Sequence, residues 1–134
     1  MVLLDTNILS ELVRKRPDPK VEGRFLRAPD EMLFTSAICI EEIRYGCAII
    51  PDGSVRWRRI QAKVLRRVKT VVFDHRAALT AGDLRGDWKK LGMPVGYEDG
   101  LIAATAKAYG LSLVTRNVRH FDHVNGLKVE NWFE

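Results

Sequence analysis

Short β-forming runs alternate with longer helical stretches along the whole of this 134-residue sequence. That alternation constrains the fold more than any other feature. Strands separated by helices run parallel, and a parallel sheet must be covered on both faces. The expected strands are residues 1–4, 32–35, 70–73, 111–115 and 127–129. The first reads as a strand running from the edge into the core, and the last as an edge strand. The expected helices are 7–14, 19–27, 37–50, 54–69, 75–91 and 98–109, with a short helical piece at 118–122. Their boundaries rest on local chemistry. Pro19 suits a first helical turn, Ser36, Ser54 and Asp74 suit N-caps, and Gly110 suits the left-handed position after a helix. Pro51-Asp52-Gly53 is a turn cluster. No repeat, low-complexity tract or long Pro/Gly linker divides the chain, so residues 1–134 read as one domain.

Ligands of parallel sheets bind outside the carboxyl ends of the strands. Asp5 and Asp99 are placed there by local context, and Glu42 reaches the same rim if its helix packs across the first. Asp5 follows Val2-Leu3-Leu4 directly, in a turn shared with Thr6, Asn7 and Ser10. Glu42 lies one and a half turns into the helix after the second strand. Asp99 opens an Ala-rich helix. Each also has a plain structural reading: Asp5 as an N-cap, Glu42 as a solvated acid beside Glu41, Asp99 as a first-turn acid favoured by the helix dipole. Together they share one rim. Carboxylates that converge without matching bases repel one another, and a divalent cation resolves the repulsion. An all-oxygen ligand set favours Mg²⁺ or Mn²⁺ over zinc. Such an ion serves phosphoryl chemistry. His120 and His123, at i and i+3, have no soft ligand beside them and read poorly as a metal pair.

Charge adds a second line. The chain carries 22 Lys and Arg against 17 Asp and Glu, a net +5. From Ser54 to Phe73 there are seven basic residues and no acid. Arg59, Lys63 and Arg66 fall on one side of the expected helix and would suit a phosphate backbone. The same run also suits a solvated face or a contact with an acidic protein. Hydrophobic residues at 46% and charged residues at 29% exclude a disordered chain. No apolar run reaches membrane-span length, and the N-terminus has no basic segment before its apolar stretch, so a cytoplasmic location is expected. Cys39 and Cys47 are too far apart on one helix to bridge and read as small buried hydrophobes.

Five segments, in order, resemble the PIN-domain nucleases, and within them the VapC/FitB-like toxins of bacterial toxin–antitoxin pairs. They are Leu4-Asp5-Thr6-Asn7-Ile8-Leu9-Ser10; Glu41-Glu42-Ile43-Arg44-Tyr45-Gly46; Asp99 with Leu101-Ile102-Ala103-Ala104-Thr105-Ala106; Val114-Thr115-Arg116-Asn117; and Gly126-Leu127-Lys128-Val129-Glu130-Asn131-Trp132. The resemblance implies a three-layer α/β/α fold and a Mg²⁺-dependent endoribonuclease, with Mn²⁺ as a substitute. It implies a homodimer restrained by a small antitoxin that also binds operator DNA. Asp5, Glu42 and Asp99 match the family's acids and would hold the metal. Thr6, Asn7, Ser10 and Thr115 would support them, and Asn117 would position the phosphate. The family often has an acid where this chain has His120, and Asp122, two residues on, is the nearest replacement. Exposed apolar helix surface at Ile49, Ile50, Trp57 and Ile60 would suit the dimer.

Two other functions fit parts of the pattern. One is a nucleic-acid-binding protein of the same fold that cuts weakly or not at all. The other is a phosphotransfer enzyme with a nucleophilic Asp5, but such enzymes carry a second Asp two residues on, where this chain has Asn7.

Overall fold

The computed structural model describes residues 1–134. Five strands form one sheet: β1 (Val2–Leu4), β2 (Leu33–Ser36), β3 (Lys69–Val71), β4 (Ser112–Val114) and β5 (Val129–Glu130). Every pairing is parallel, and the spatial order is β3-β2-β1-β4-β5. β1 is therefore the central strand and not one leading in from an edge. The early apolar run explains this: Leu3 and Leu4 are fully buried, as a strand covered on both faces requires.

Six helices accompany the strands: α1 (Thr6–Leu12), α2 (Pro19–Arg27), α3 (Ala37–Ala48), α4 (Gly53–Lys63), α5 (His75–Leu91) and α6 (Tyr97–Ala108). The chain steps outward from β1 to β3, then returns across the sheet to β4 and β5. With right-handed crossovers, α1–α4 lie on one face and α5–α6 on the other. Leu3, Leu4, Ile8, Leu9, Leu33, Ile102 and Leu113 fill the core between the layers.

Most expected elements are present with shifted ends. Ser36 caps α3 by accepting Cys39 N–H, and Asp74 caps α5 by accepting Ala77 N–H. Gly110 takes φ 65° just after α6. The basic segment differs most. Ser54 is not its cap, and the expected helix over 54–69 is two pieces: α4 ends at Lys63, Val64 departs from helical geometry at φ −121°, ψ −61°, and a 3-10 turn, Leu65–Arg67, leads into β3. Val64 and Val68 are both buried, so the chain breaks helical periodicity to bring each into the core. Val118–His120 is likewise a 3-10 turn and not a longer helix.

Candidate active site

β1 and β4 are neighbours with Leu4 opposite Val114. The chain leaves β1 toward β2 and leaves β4 toward β5, so the sheet order reverses between them. Crevices at such reversals, outside the carboxyl ends, are where parallel sheets bind ligands. Asp5 and Thr115 are the residues that follow these two strands.

Asp5 is 5% exposed, and its carboxylate is held from three sides. Thr6 N–H donates to Oδ1 at 2.8 Å, so Asp5 is also the N-cap of α1. The Thr115 hydroxyl donates to Oδ2 at 2.8 Å, and the Asn7 amide approaches the same oxygen at 3.3 Å. Asn7 also donates to Thr115 Oγ1 and accepts Arg116 N–H at 3.1 Å. Asn117 N–H donates to Thr115 Oγ1 at 3.1 Å. Asn7 and Thr115 thus clamp the two strand ends together around one carboxylate.

Glu42 on α3 and Asp99 on α6 line one open groove of about 470 Å³ with Glu41, Tyr45, Gly96 and Glu98. Burial pushes the Asp5 carboxyl above its ordinary range; Asp99 adds to the rise, and the Thr115 and Thr6 hydrogen bonds oppose it. Burial likewise raises Glu42, with Asp5, Asp99 and Glu98 adding repulsion. Electrostatically the three acids are one cluster. Glu42 Oε1 and Thr6 Oγ1 are buried and without a hydrogen-bond partner. The Thr6 hydroxyl lies close enough to the Glu42 carboxylate to oppose its rise, yet the geometry is short of a full hydrogen bond, which leaves a buried carboxylate oxygen that a cation could satisfy.

No three His, Cys, Asp or Glu side chains are drawn tightly enough to make a finished ligand cage. The donors are all oxygen, mutually repelling, and partly unsatisfied, so the residues fit a hard divalent cation.

Several expectations need adjusting. Ser10 lies one turn along α1 and makes no side-chain hydrogen bond to the cluster. Asp122 makes no hydrogen bond to the acidic cluster; its Oδ1 lies 3.9 Å from His123 Nδ1. His120 reaches it instead, with Nδ1 3.0 Å from Asp99 Oδ2. The imidazole at position 120 spans the gap to Asp99, while Asp122 lies beyond the 3-10 turn. His123 packs edge-on against Trp88 and forms no pair with His120.

Arg59, Lys63 and Arg66 are not brought to the acidic rim. Arg59 donates to the Val13 carbonyl at the end of α1. Lys63 pairs with Glu22 on α2 at 3.6 Å. Arg66 sits in the turn that enters β3, at the amino edge of a parallel sheet whose acids stand at the carboxyl edge.

Cys39 was missed as a site neighbour. Its thiol lies 3.2 Å from Ser36 Oγ and 3.9 Å from Asp5 Oδ1, and burial pushes it up to about 11, well short of ionising. The readable signal was its place three residues after the Ser36 cap, on the α3 side that carries Glu42 one turn later.

The PIN-domain model matches residues 2–127. The chain belongs to the PIN-domain family. Within it, the chain is similar to the VapC ribonuclease Y4jK of Sinorhizobium fredii, 36% identical over 139 residues covering 100% of this chain and 99% of the relative. The crystal structure of FitAcB from Neisseria gonorrhoeae superposes with a TM-score of 0.90 at 30% identity, covering 100% of this chain and 99% of that one. VapBC2 from Rickettsia felis, bound to a DNA fragment from its promoter, gives 0.89 at 27% identity, covering 98% and 99%. This PIN domain is of the VapC/FitB toxin type. No helix is long and apolar enough to cross a membrane.

Proposed function

We propose that this PIN domain is the toxin of a toxin–antitoxin pair, a Mg²⁺-dependent endoribonuclease that hydrolyses RNA phosphodiester bonds. The observation that carries the reading is the Asp5 carboxylate, buried at the sheet reversal and coupled to Glu42 and Asp99. Asp5, Asp99 and Glu42 are the residues that would hold the cation. When bound, Mg²⁺ or Mn²⁺ supplies charge neutralisation at the phosphate and a more acidic water. Thr115, Asn7 and Thr6 N–H fix the Asp5 oxygens in advance, so the carboxylate does not reorganise as charge develops. His120 steadies Asp99, and Asn117 would meet a phosphate oxygen. Names of relatives that include ribonuclease support the reading. Relatives solved as FitAcB, and as VapBC2 on promoter DNA, support a small antitoxin partner that also binds operator DNA. A homodimer goes with the same reading.

One observation favours a second reading, a nucleic-acid-binding protein of the same fold with weak cleavage. An imidazole, not a fourth carboxylate, contacts Asp99. Rates on RNA decide. The purified chain should cut RNA with Mg²⁺, stop when chelated with EDTA, and recover on adding Mg²⁺ or Mn²⁺. RNA binding without cutting at any divalent concentration would support the second reading.

A further inference from the structure

His120 stands at the junction of two grooves of opposite character. On one side is Asp99 and the acidic groove. On the other is a groove of about 370 Å³ lined by Arg116, Asn117, Val118, Arg119, His120, Asn131 and Glu134. Arg116 also walls the next groove, of about 420 Å³, which contains Arg14 and Arg16. That second groove also holds Glu11 and Asp18, so the unbalanced basic surface is the part around Arg116 and Arg119.

Position separates Arg116 and Arg119 from the α4 bases: they share a groove with His120, which contacts Asp99. Arg14 is tied to Glu11 at 3.0 Å. Arg116 lies over the Phe133 ring, with Cζ 4.5 Å from its centroid, so its charge is held in place without being neutralised. Arg119 is exposed and makes neither hydrogen bond nor ion pair. Glu134 is the one acid in that groove, against two guanidiniums.

The acidic groove repels phosphate except where a cation sits. A strand of RNA cut at that cation needs its neighbouring phosphates held elsewhere, and close by. We propose that the Arg116–Arg119 groove is the subsite for the backbone phosphates of single-stranded RNA adjacent to the cut bond, with the His120–Asp99 contact setting the register between subsite and carboxylates. This rests on the nuclease reading above. Guanidinium forks suit phosphate oxygens, and contacts of this kind position a strand without reading its sequence.

The test separates the subsite from the nuclease reading. Binding of a fluorescently labelled single-stranded RNA is followed by anisotropy on Asp5→Asn protein, with and without Arg119→Gln. Arg119 is exposed and makes no side-chain hydrogen bond or ion pair, so its loss should leave the fold intact. Affinity should fall about five- to tenfold, and the slope of log affinity against log salt should flatten by roughly 0.7, the value for one single-strand phosphate contact. Arg119→Lys should recover part of the affinity. Arg58→Gln removes an equal charge from α4 and should change neither quantity. In the cutting protein, Arg119→Gln should raise KM and leave kcat near its original value. If Arg119→Gln matches Arg58→Gln in affinity and slope, the subsite is wrong, and the groove is better suited to an acidic protein segment. If the parent chain fails to cut RNA but Arg119→Gln still weakens binding, the nuclease reading fails and the subsite stands.

Discussion

The Thr115 hydroxyl donates to Asp5 Oδ2 at 2.8 Å, joining residues 110 positions apart in the chain. Leu4 and Val114 are paired across β1 and β4, so the two following residues are brought side by side. The bond favours the ionised carboxylate and opposes the rise that burial causes. Thr115→Val should therefore push Asp5 further up. The acid limb of the pH–rate profile should move to higher pH, and kcat/KM at neutral pH should fall about tenfold, equivalent to roughly 1.4 kcal/mol. An unmoved acid limb would mean that Thr115 serves packing alone.

Asp5 itself carries a stability signature. Its folded pKa lies above the ordinary value, so the folded chain holds that proton more tightly than the unfolded one. The stabilising contribution is complete below the unfolded pKa and is lost as pH rises through the folded one. Asp5→Asn, which keeps the cap, should be more stable than the parent at neutral pH in chelated buffer, with a weaker fall across the carboxylate range. Mg²⁺ should raise the melting temperature of the parent and do much less for the variant. Equal Mg²⁺ shifts in both proteins would remove Asp5 from the ligand set.

The basic segment makes a contrasting prediction. Arg67 donates to the Phe25 and Ala28 carbonyls at 2.9 and 2.6 Å, pairs with Asp30 at 2.7 Å, and lies over the Phe25 ring. It ties the end of α2 to the entry of β3. Arg67→Ala should lower stability by about 2 kcal/mol by leaving those carbonyls unpaired, read by urea denaturation, with RNA affinity unchanged. A loss of affinity at full stability would return this segment to RNA binding.

The parallel sheet and most helix starts were legible because they rest on local signals, apolar runs and caps; Asp5 was legible as an acid directly after a strand, whereas Glu42 and Asp99 lie inside helices and share a groove only through packing. The break at Val64 was not legible, because it is set by burial of Val64 and Val68 against distant elements. The role of the bases was hidden for the same reason. Charge is visible in sequence, but Arg59, Lys63 and Arg67 are each occupied by groups 37 to 46 positions away. His120 looked like a gap in the acidic pattern. Only the chain path from β4 shows that its ring reaches Asp99.

The expected dimer surface is also redistributed. Ile60 is fully buried and Trp57 is partly covered beneath Arg44, so neither offers a free face. Ile49 remains 64% exposed, with Ile50 and Val55 near it in sequence. Light scattering at micromolar concentration should give twice the mass of the chain. Ile49→Glu should shift it toward the single-chain mass, since a buried charge opposes association. A parent protein with the single-chain mass throughout would rule out the homodimer.

One measurement tests the central claim most directly: sequencing the RNA ends produced when total RNA is incubated with the purified chain in Mg²⁺, beside Asp5→Asn and Asp99→Asn proteins confirmed to be folded. The account predicts discrete new ends with the parent chain and none above background with either variant. The same ends appearing at the same rate with both variants would contradict it.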